Sequence, residues 1–266
     1  MLAVWQGPHG LNRHLYTTCP KCRYERQVSD PGSPDTCPAC GLVFAKWMKQ
    51  SYTTETAATV IAPGGSESRV KHIFEILLKV EDRVNPVYFW GRVLLYITVL
   101  VWGWQFLQMD YVNNPFEIGR SWMHLLNLVF HEAGHIVFMP LGWLMTILGG
   151  SLGQLLMPIV VLGVFLWKSN AFGASIALWW LGQSFKDLAP YIDDALDQKL
   201  VLLGGRTGAD APGNHDWNNI LGNFNVLERH REYAQIADLS GSVLLVLALL
   251  WGAVLLYRQY RNLERF

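Results

Sequence analysis

The sequence predicts a mainly α, polytopic helical membrane protein of four to five spans, with a small cysteine-built ribbon at its N-terminus. Three observations lead there. The chain has 266 residues, 51% of them hydrophobic, and the apolar residues concentrate after Val87. They fall in runs long enough to cross a lipid core about 30 Å thick. All four cysteines lie between positions 19 and 40, so none belongs to the apolar region. The formal net charge is zero, which argues against a basic field of the size that nucleic acid needs. Met1 to Gly10 has neither a basic segment nor an apolar core, so no secretory signal peptide is expected.

Residues 1–50 are read as the ribbon. Cys19-Pro20-Lys21-Cys22 and Cys37-Pro38-Ala39-Cys40-Gly41 are two CxxC knuckles separated by 14 residues. Four thiolates at this spacing predict a closed structural zinc site, with two disulfides as the alternative. The segment is too short for an ordinary core, so metal binding supplies its folding energy. A closed site leaves no position for catalysis, so docking to a protein partner or regulation is the expected role. Residues 42–47 either pack on the ribbon or begin a helix.

Residues 51–68, rich in Thr, Ala, Gly and Ser around Pro63-Gly64-Gly65, read as a flexible linker. In residues 69–86, Val70, Ile73, Phe74, Leu77 and Leu78 repeat at helical spacing. An amphipathic juxtamembrane helix is expected, ended by Asn85-Pro86 and lying on a membrane surface or against the core.

Residues 87–266 form the membrane-embedded part. The first span is 87–109, with Arg92 snorkelling near its start, followed by a polar loop at 110–120 and a second span at 122–140. Residues 141–153 are apolar but carry Gly142, Gly149, Gly150 and Gly153. They read either as a re-entrant hairpin or strand, offering its edge to an extended peptide, or as a glycine-containing helix turn. Two apolar segments at 155–167 and 171–189 are joined by Lys168-Ser169-Asn170, as in antiparallel helices. A last span at 239–257 precedes a tail with Arg258, Arg261 and Arg265. The thiol-rich ribbon and basic N-terminal region favour a cytoplasmic N-terminus. Five crossings place the basic tail outside; four plus an incomplete segment place it inside.

The second span contains Phe130-His131-Glu132-Ala133-Gly134-His135. On a helix, residues four apart share a face, so His131 and His135 can direct two imidazoles at one metal ion. Glu132 stands where it reaches a water on that ion. Two His and a third protein ligand leave zinc an open position for such a water, and a nearby carboxylate serves as general base. Ionisable groups inside a membrane helix are costly, and a cluster at metal-ligand spacing points to function.

The third ligand has several candidates. Gln183, Asp187, Tyr191 and Asp194 share one face of the helix that begins near Ala171. Carboxylates at that helix's C-terminus oppose its dipole and call for a positive partner. Of Asp193, Asp194 and Asp197, most are expected to be solvated and one to face inward. His215, after the Gly-rich loop at 203–212, is a rival ligand, with Asp216 orienting it or a neighbouring ligand.

An HExxH in a membrane span, a Gly-rich apolar segment after it and an Asp at the end of a later span resemble the site-2 protease family of intramembrane zinc metalloproteases. The resemblance covers roughly residues 87–200. It implies zinc held by His131, His135 and one Asp, with Glu132 as base. The family's later motif reads Pro-x-Leu-Asp-Gly; Pro190-Tyr191-Ile192-Asp193 matches its first part, and Asp194 stands in the place of Gly. The third ligand is therefore expected at Asp193 or Asp194, with Asp187 and His215 as rivals. The resemblance further implies a catalytic zinc and membrane protein or peptide substrates in a lipid bilayer; with the thiolate site, one catalytic and one structural zinc are expected, in a bacterial inner membrane. Two other readings stand beside it: a non-catalytic scaffold with structural zinc and a partner-binding ribbon, and a metal transporter with a continuous polar path.

Overall fold

A computed structural model describes residues 18–27, 29–30, 33, 35–44 and 66–264. The chain divides into two compact units, Met1–Arg69 and Val70–Phe266. Most of the expected linker lies outside the described residues; its last residues, from Ser66, open a helix.

The first unit is built twice from one pattern. In each knuckle the amide two residues before the turn's end closes it: Arg23 N–H donates to the Cys19 carbonyl and Gly41 N–H to the Cys37 carbonyl, both at 2.9 Å. Arg23 and Gly41 both take positive φ, 59° and 70°, the backbone that a tight turn needs and glycine adopts most easily. The flanking residues pair as isolated antiparallel bridges, Thr18 with Glu25 and Thr36 with Val43. Cys19, Cys37 and Phe44 form the small buried cluster between the knuckles. Phe44 thus packs on the ribbon as anticipated, while residues 45–47 lie outside the described residues.

The second unit is helical, and no strand occurs among its described residues. The amphipathic helix α1 spans Ser66–Leu77, with Ile73 and Phe74 exposed. It stops well before the expected Asn85-Pro86. Carbonyls at its end and beyond are taken by distant donors: Leu77 accepts from Trp251 Nε1 at 2.7 Å, Leu78 from Arg258 and Glu81 from Asn262. A parallel bridge joins Val84 to Leu263. Asn85 then caps the next helix, α2 (Pro86–Gln108), accepting from Val87 N–H at 2.8 Å, with Pro86 at a position where no amide is required.

Helices α3 (Phe116–Gly119), α4 (Trp122–Phe138), α5 (Trp143–Trp167), α6 (Ala171–Asp193), α7 (Asp216–Asn223) and α8 (His230–Arg261) complete the unit. Among the described residues, three helices are long and apolar enough to cross a membrane: Pro86–Gln108, Trp143–Trp167 and the stretch Leu227–Arg261. This indicates a membrane protein. Four to five such spans were expected. The 17-residue α4 is about 25 Å long by its rise, and the second half of α6 carries buried polar side chains. Outward faces are apolar, as lipid contact requires: Val87, Trp90, Leu94, Ile97, Val101 and Trp104 form one exposed stripe on α2.

The glycine-interrupted segment is neither a hairpin nor a strand. It is the first half of α5, continuous with the apolar run after it. Its glycines instead allow a close helix crossing. A Cβ on Gly134 of α4 would run into the Gly149 carbonyl, and one on Gly153 would lie 2.5 Å from the Phe130 carbonyl oxygen. Helix α6 runs antiparallel to α8 at similarly close range, through Gly182 and Gly241, and Lys186 pairs with Asp238 at 2.5 Å inside that interface. A buried ammonium left without that partner would be costly.

Candidate metal centre

Helix α4 starts at Ser121, whose side chain accepts from Met123 N–H at 3.2 Å. From there 3.6-residue periodicity sends Val129, Ile136 and Val137 outward and buries Asn127, His131 and Gly134. His135 follows on the same side. Each imidazole is fixed by its other nitrogen. His135 Nδ1 donates to the Thr146 carbonyl at 2.8 Å and His131 Nδ1 donates to Gln154 Oε1 at 3.3 Å. A backbone carbonyl only accepts, so Nδ1 of His135 carries a proton and Nε2 is the nitrogen turned toward the site.

Those two Nε2 atoms meet Asp216. Its Oδ2 lies 2.9 Å from His131 Nε2 and 3.3 Å from His135 Nε2. Ligands bonded tetrahedrally at about 2.0–2.1 Å stand about 3.3 Å apart. The donor set therefore fits a zinc-like ion, and among the described residues it comprises these three side chains. A second observation supports the fit. A Cβ on Gly150 of α5 would stand 2.5 Å from His131 Nε2 and 2.6 Å from His135 Nε2, so this glycine keeps the space beside both ligand atoms clear.

Asp216 is the first residue of α7, where a carboxylate complements the helix dipole. Burial raises its carboxyl pKa, but the imidazoles of His131 and His135 outweigh that and hold it at about 2, so the group is ionised. Trp217 Nε1 donates to Ser151 Oγ at 3.2 Å and ties α7 to α5. Beside the three ligands opens a cavity of about 770 Å³ that Glu132, Tyr191 and Arg120 line, together with Leu200 to Arg206. That last segment is a short hairpin closed by the Val201–Thr207 bridge and by Leu202 N–H donating to Arg206 O at 2.8 Å.

The other candidates for third ligand are engaged elsewhere. Asp194 accepts from the Lys199 and Leu200 amides, both at 2.8 Å, which uses both carboxylate oxygens to hold the turn after α6. Asp193 faces His230 at 3.8 Å, and Asp197 pairs with Lys199 at 2.9 Å. His215 is fully buried as the N-cap of α7: its Nδ1 accepts from Asn218 N–H, and its Nε2 faces Asp194 at 3.4 Å. Asp187 lies behind His131, not beside it. It accepts from Gln154 Nε2 at 3.0 Å and Asn127 Nδ2 at 3.2 Å and meets His124 Nδ1 at 3.0 Å. Through Gln154 it supports the orientation of His131.

From the sequence Asp216 is expected to orient a neighbouring ligand, whereas in the fold its carboxylate stands between the two histidines. The signal available was its place at a helix start, where acid is favourable, against the unfavourable C-terminal position of Asp193 and Asp194.

In the ribbon, Cys19 Sγ lies 3.7 Å from Cys40 Sγ, and Cys22 Sγ lies 3.7 Å from Cys37 Sγ. Zinc–sulfur bonds of about 2.3 Å in a tetrahedron give sulfur separations of about 3.8 Å, so this donor set also fits. The cysteines form no disulfide. Burial raises the Cys19 thiol, but the amides of Cys22 and Lys21 and the neighbouring thiols outweigh it and bring the pKa to about 6. Comparison of the chain with protein-family models, with curated proteins and with solved structures gave no match.

Proposed function

We propose that the protein is a membrane-embedded, zinc-dependent endopeptidase acting on membrane proteins or peptides. The observation that carries this reading is the convergence of His131, His135 and Asp216 at the wall of a cavity that Glu132 also lines. His131, His135 and Asp216 would hold the ion; Cys19, Cys22, Cys37 and Cys40 would hold a second, structural one. A divalent ion in the first site supplies a Lewis acid and lowers the pKa of a bound water towards ~7. Glu132 takes the proton of the attacking water and returns it to the leaving amine. Gln154 and the Thr146 carbonyl keep both imidazoles aimed while this happens.

A substrate must present an extended backbone, because a helix hides its scissile bonds. The hairpin at 200–207 supports this step: it borders the cavity, and Val201 and Leu203 are exposed there. An unpaired strand edge binds an extended peptide through main-chain hydrogen bonds. The edge first sought in the glycine-rich segment is thus assigned to this hairpin. With no fourth His, Cys, Asp or Glu joining the three among the described residues, an open coordination position is favoured over a closed scaffold site.

The test is Glu132→Gln in the full-length protein. Metal content should stay at the wild-type value while cleavage of membrane substrates is lost. Proteolysis that survives this substitution refutes the assignment.

A further inference from the structure

We infer that the cavity carries a carboxylate-binding subsite built on Arg120 and His124, and that the substrates are peptides with an acidic side chain about three residues from the bond that is cut. This rests on the peptidase reading and adds the substrate class to it.

Arg120 and His124 line the same cavity as His131, Glu132, His135 and Asp216. His124 lies in the first turn of α4, seven residues before His131. Seven residues make nearly two full turns, so the two imidazoles share a face about 10 Å apart along the axis. Arg120 immediately precedes the cap residue Ser121, farther still from the metal ligands along the chain. An extended peptide advances about 3.3 Å per residue. A substrate whose carbonyl meets the ion therefore brings its third residue to the level of His124. Arg206, on the hairpin at 200–207, puts another guanidinium in the cavity wall.

The charges in the wall favour an anion at this end. His124 Nδ1 faces Asp187 Oδ1 at 3.0 Å, and the other oxygen of that buried carboxylate accepts from Gln154 Nε2 and Asn127 Nδ2. A carboxylate bonded by two amides still accepts, so His124 Nδ1 donates, and Nε2 has no partner among the described residues. Asp187 is thereby committed, and Asp216 is engaged with His131 and His135. Glu132 stands at the metal end, next to His131. The guanidinium groups of Arg120 and Arg206 have no ion pair or hydrogen bond among the described residues. A cleft lined by unpaired cations focuses its field on an anion, and arginine grips a carboxylate through paired N–H donors. The competing occupant is a lipid phosphate, because an exposed arginine beside an apolar helix also reaches headgroups. The wall shared with the metal ligands favours the peptide.

The probes are two hydroxamates whose metal-binding end fixes one terminus at the ion: acetyl-Glu-Ala-Leu hydroxamate, and a succinyl hydroxamate continued by Ala-Glu-amide. They run in opposite chain directions, carry Glu about three residues from the metal, and each has a twin with Gln in place of Glu. Binding to the full-length zinc-loaded protein is measured calorimetrically in neutral detergent micelles. In at least one direction the Glu compound should bind about tenfold to a hundredfold more tightly than its Gln twin, the effect of one hydrogen bond between charged groups. In Arg120→Gln that ratio should fall to near one. Equal binding of Glu and Gln in both directions overturns the inference on the wild-type protein alone. A ratio that survives Arg120→Gln overturns it too, and so does a ratio abolished when phosphatidylglycerol is added to the micelles, which assigns Arg120 to a lipid phosphate. If no hydroxamate binds the zinc-loaded protein, or if Glu132→Gln still cleaves, the peptidase reading itself fails. If those two controls behave and Glu binds like Gln, only this inference falls.

Discussion

Replacing Gly150 by alanine adds a single methyl group where the proposed zinc ion has its neighbours. The new carbon would stand 2.5 Å from His131 Nε2 and 2.6 Å from His135 Nε2. Comfortable contact lies near 3.5 Å, so about 1 Å must be found. Retreat of helix α5 would open the backbone-on-backbone crossing that Gly134, Gly149 and Gly153 make between α4 and α5, and so would cost packing along it. Otherwise the imidazoles must turn, against their bonds to Gln154 and the Thr146 carbonyl. A displacement of ~1 Å in a reacting constellation costs about a hundredfold in rate. The helix itself should tolerate the change, since Ala is favoured over Gly in a helix interior by roughly 1 kcal/mol. The assay is zinc per chain by elemental analysis of detergent-purified protein, with circular dichroism as the check on folding. Wild type should carry two ions, one for each donor group, and Gly150→Ala only the thiolate-bound one. Gly163→Ala on the same helix is the control: a Cβ there has nothing within 4 Å, and both ions should remain. A folded Gly150→Ala protein that retains both ions refutes the assignment of this space to a metal.

Substitutions at the competing carboxylates separate their roles. Asp216→Asn should lose the histidine-bound zinc, whereas Asp194→Asn, which alters the turn after α6, should keep it; elemental analysis giving the reverse would restore Asp194 as the ligand. Gln154→Leu removes the acceptor from His131 Nδ1 and should weaken that zinc about tenfold to a hundredfold, read by competition with a chelator, and unchanged affinity would show that Gln154 does not position the ligand.

Much of this site was legible in the residues. His131 and His135 sit four apart on an apolar helix, and that spacing alone put their nitrogens on one face. The cysteine knuckles were equally local, since a CxxC turn fixes its own backbone. What could not be read was set by distant contacts. Asp216 is 85 residues from His131, and only the fold of α7 against α5 brings them together. The glycines of α5 were ambiguous for a similar reason: a glycine kept for close helix packing and a glycine kept for a turn look the same until the partner helix is known. Helix α1 ends early where side chains of α8 and of Asn262 just after it take the carbonyls at and beyond its end, a competition that no window of local sequence reports.

The bridge between Val84 and Leu263 sets the two ends of the bundle side by side. If α2 and α8 both cross a bilayer, the polypeptide would leave on the side where it entered, and the number of full passages would be even. At least one of α4, α5 and α6 would then not be a complete traverse. Reporter fusions after Leu263 and labels placed just ahead of Val84 should sense one and the same compartment.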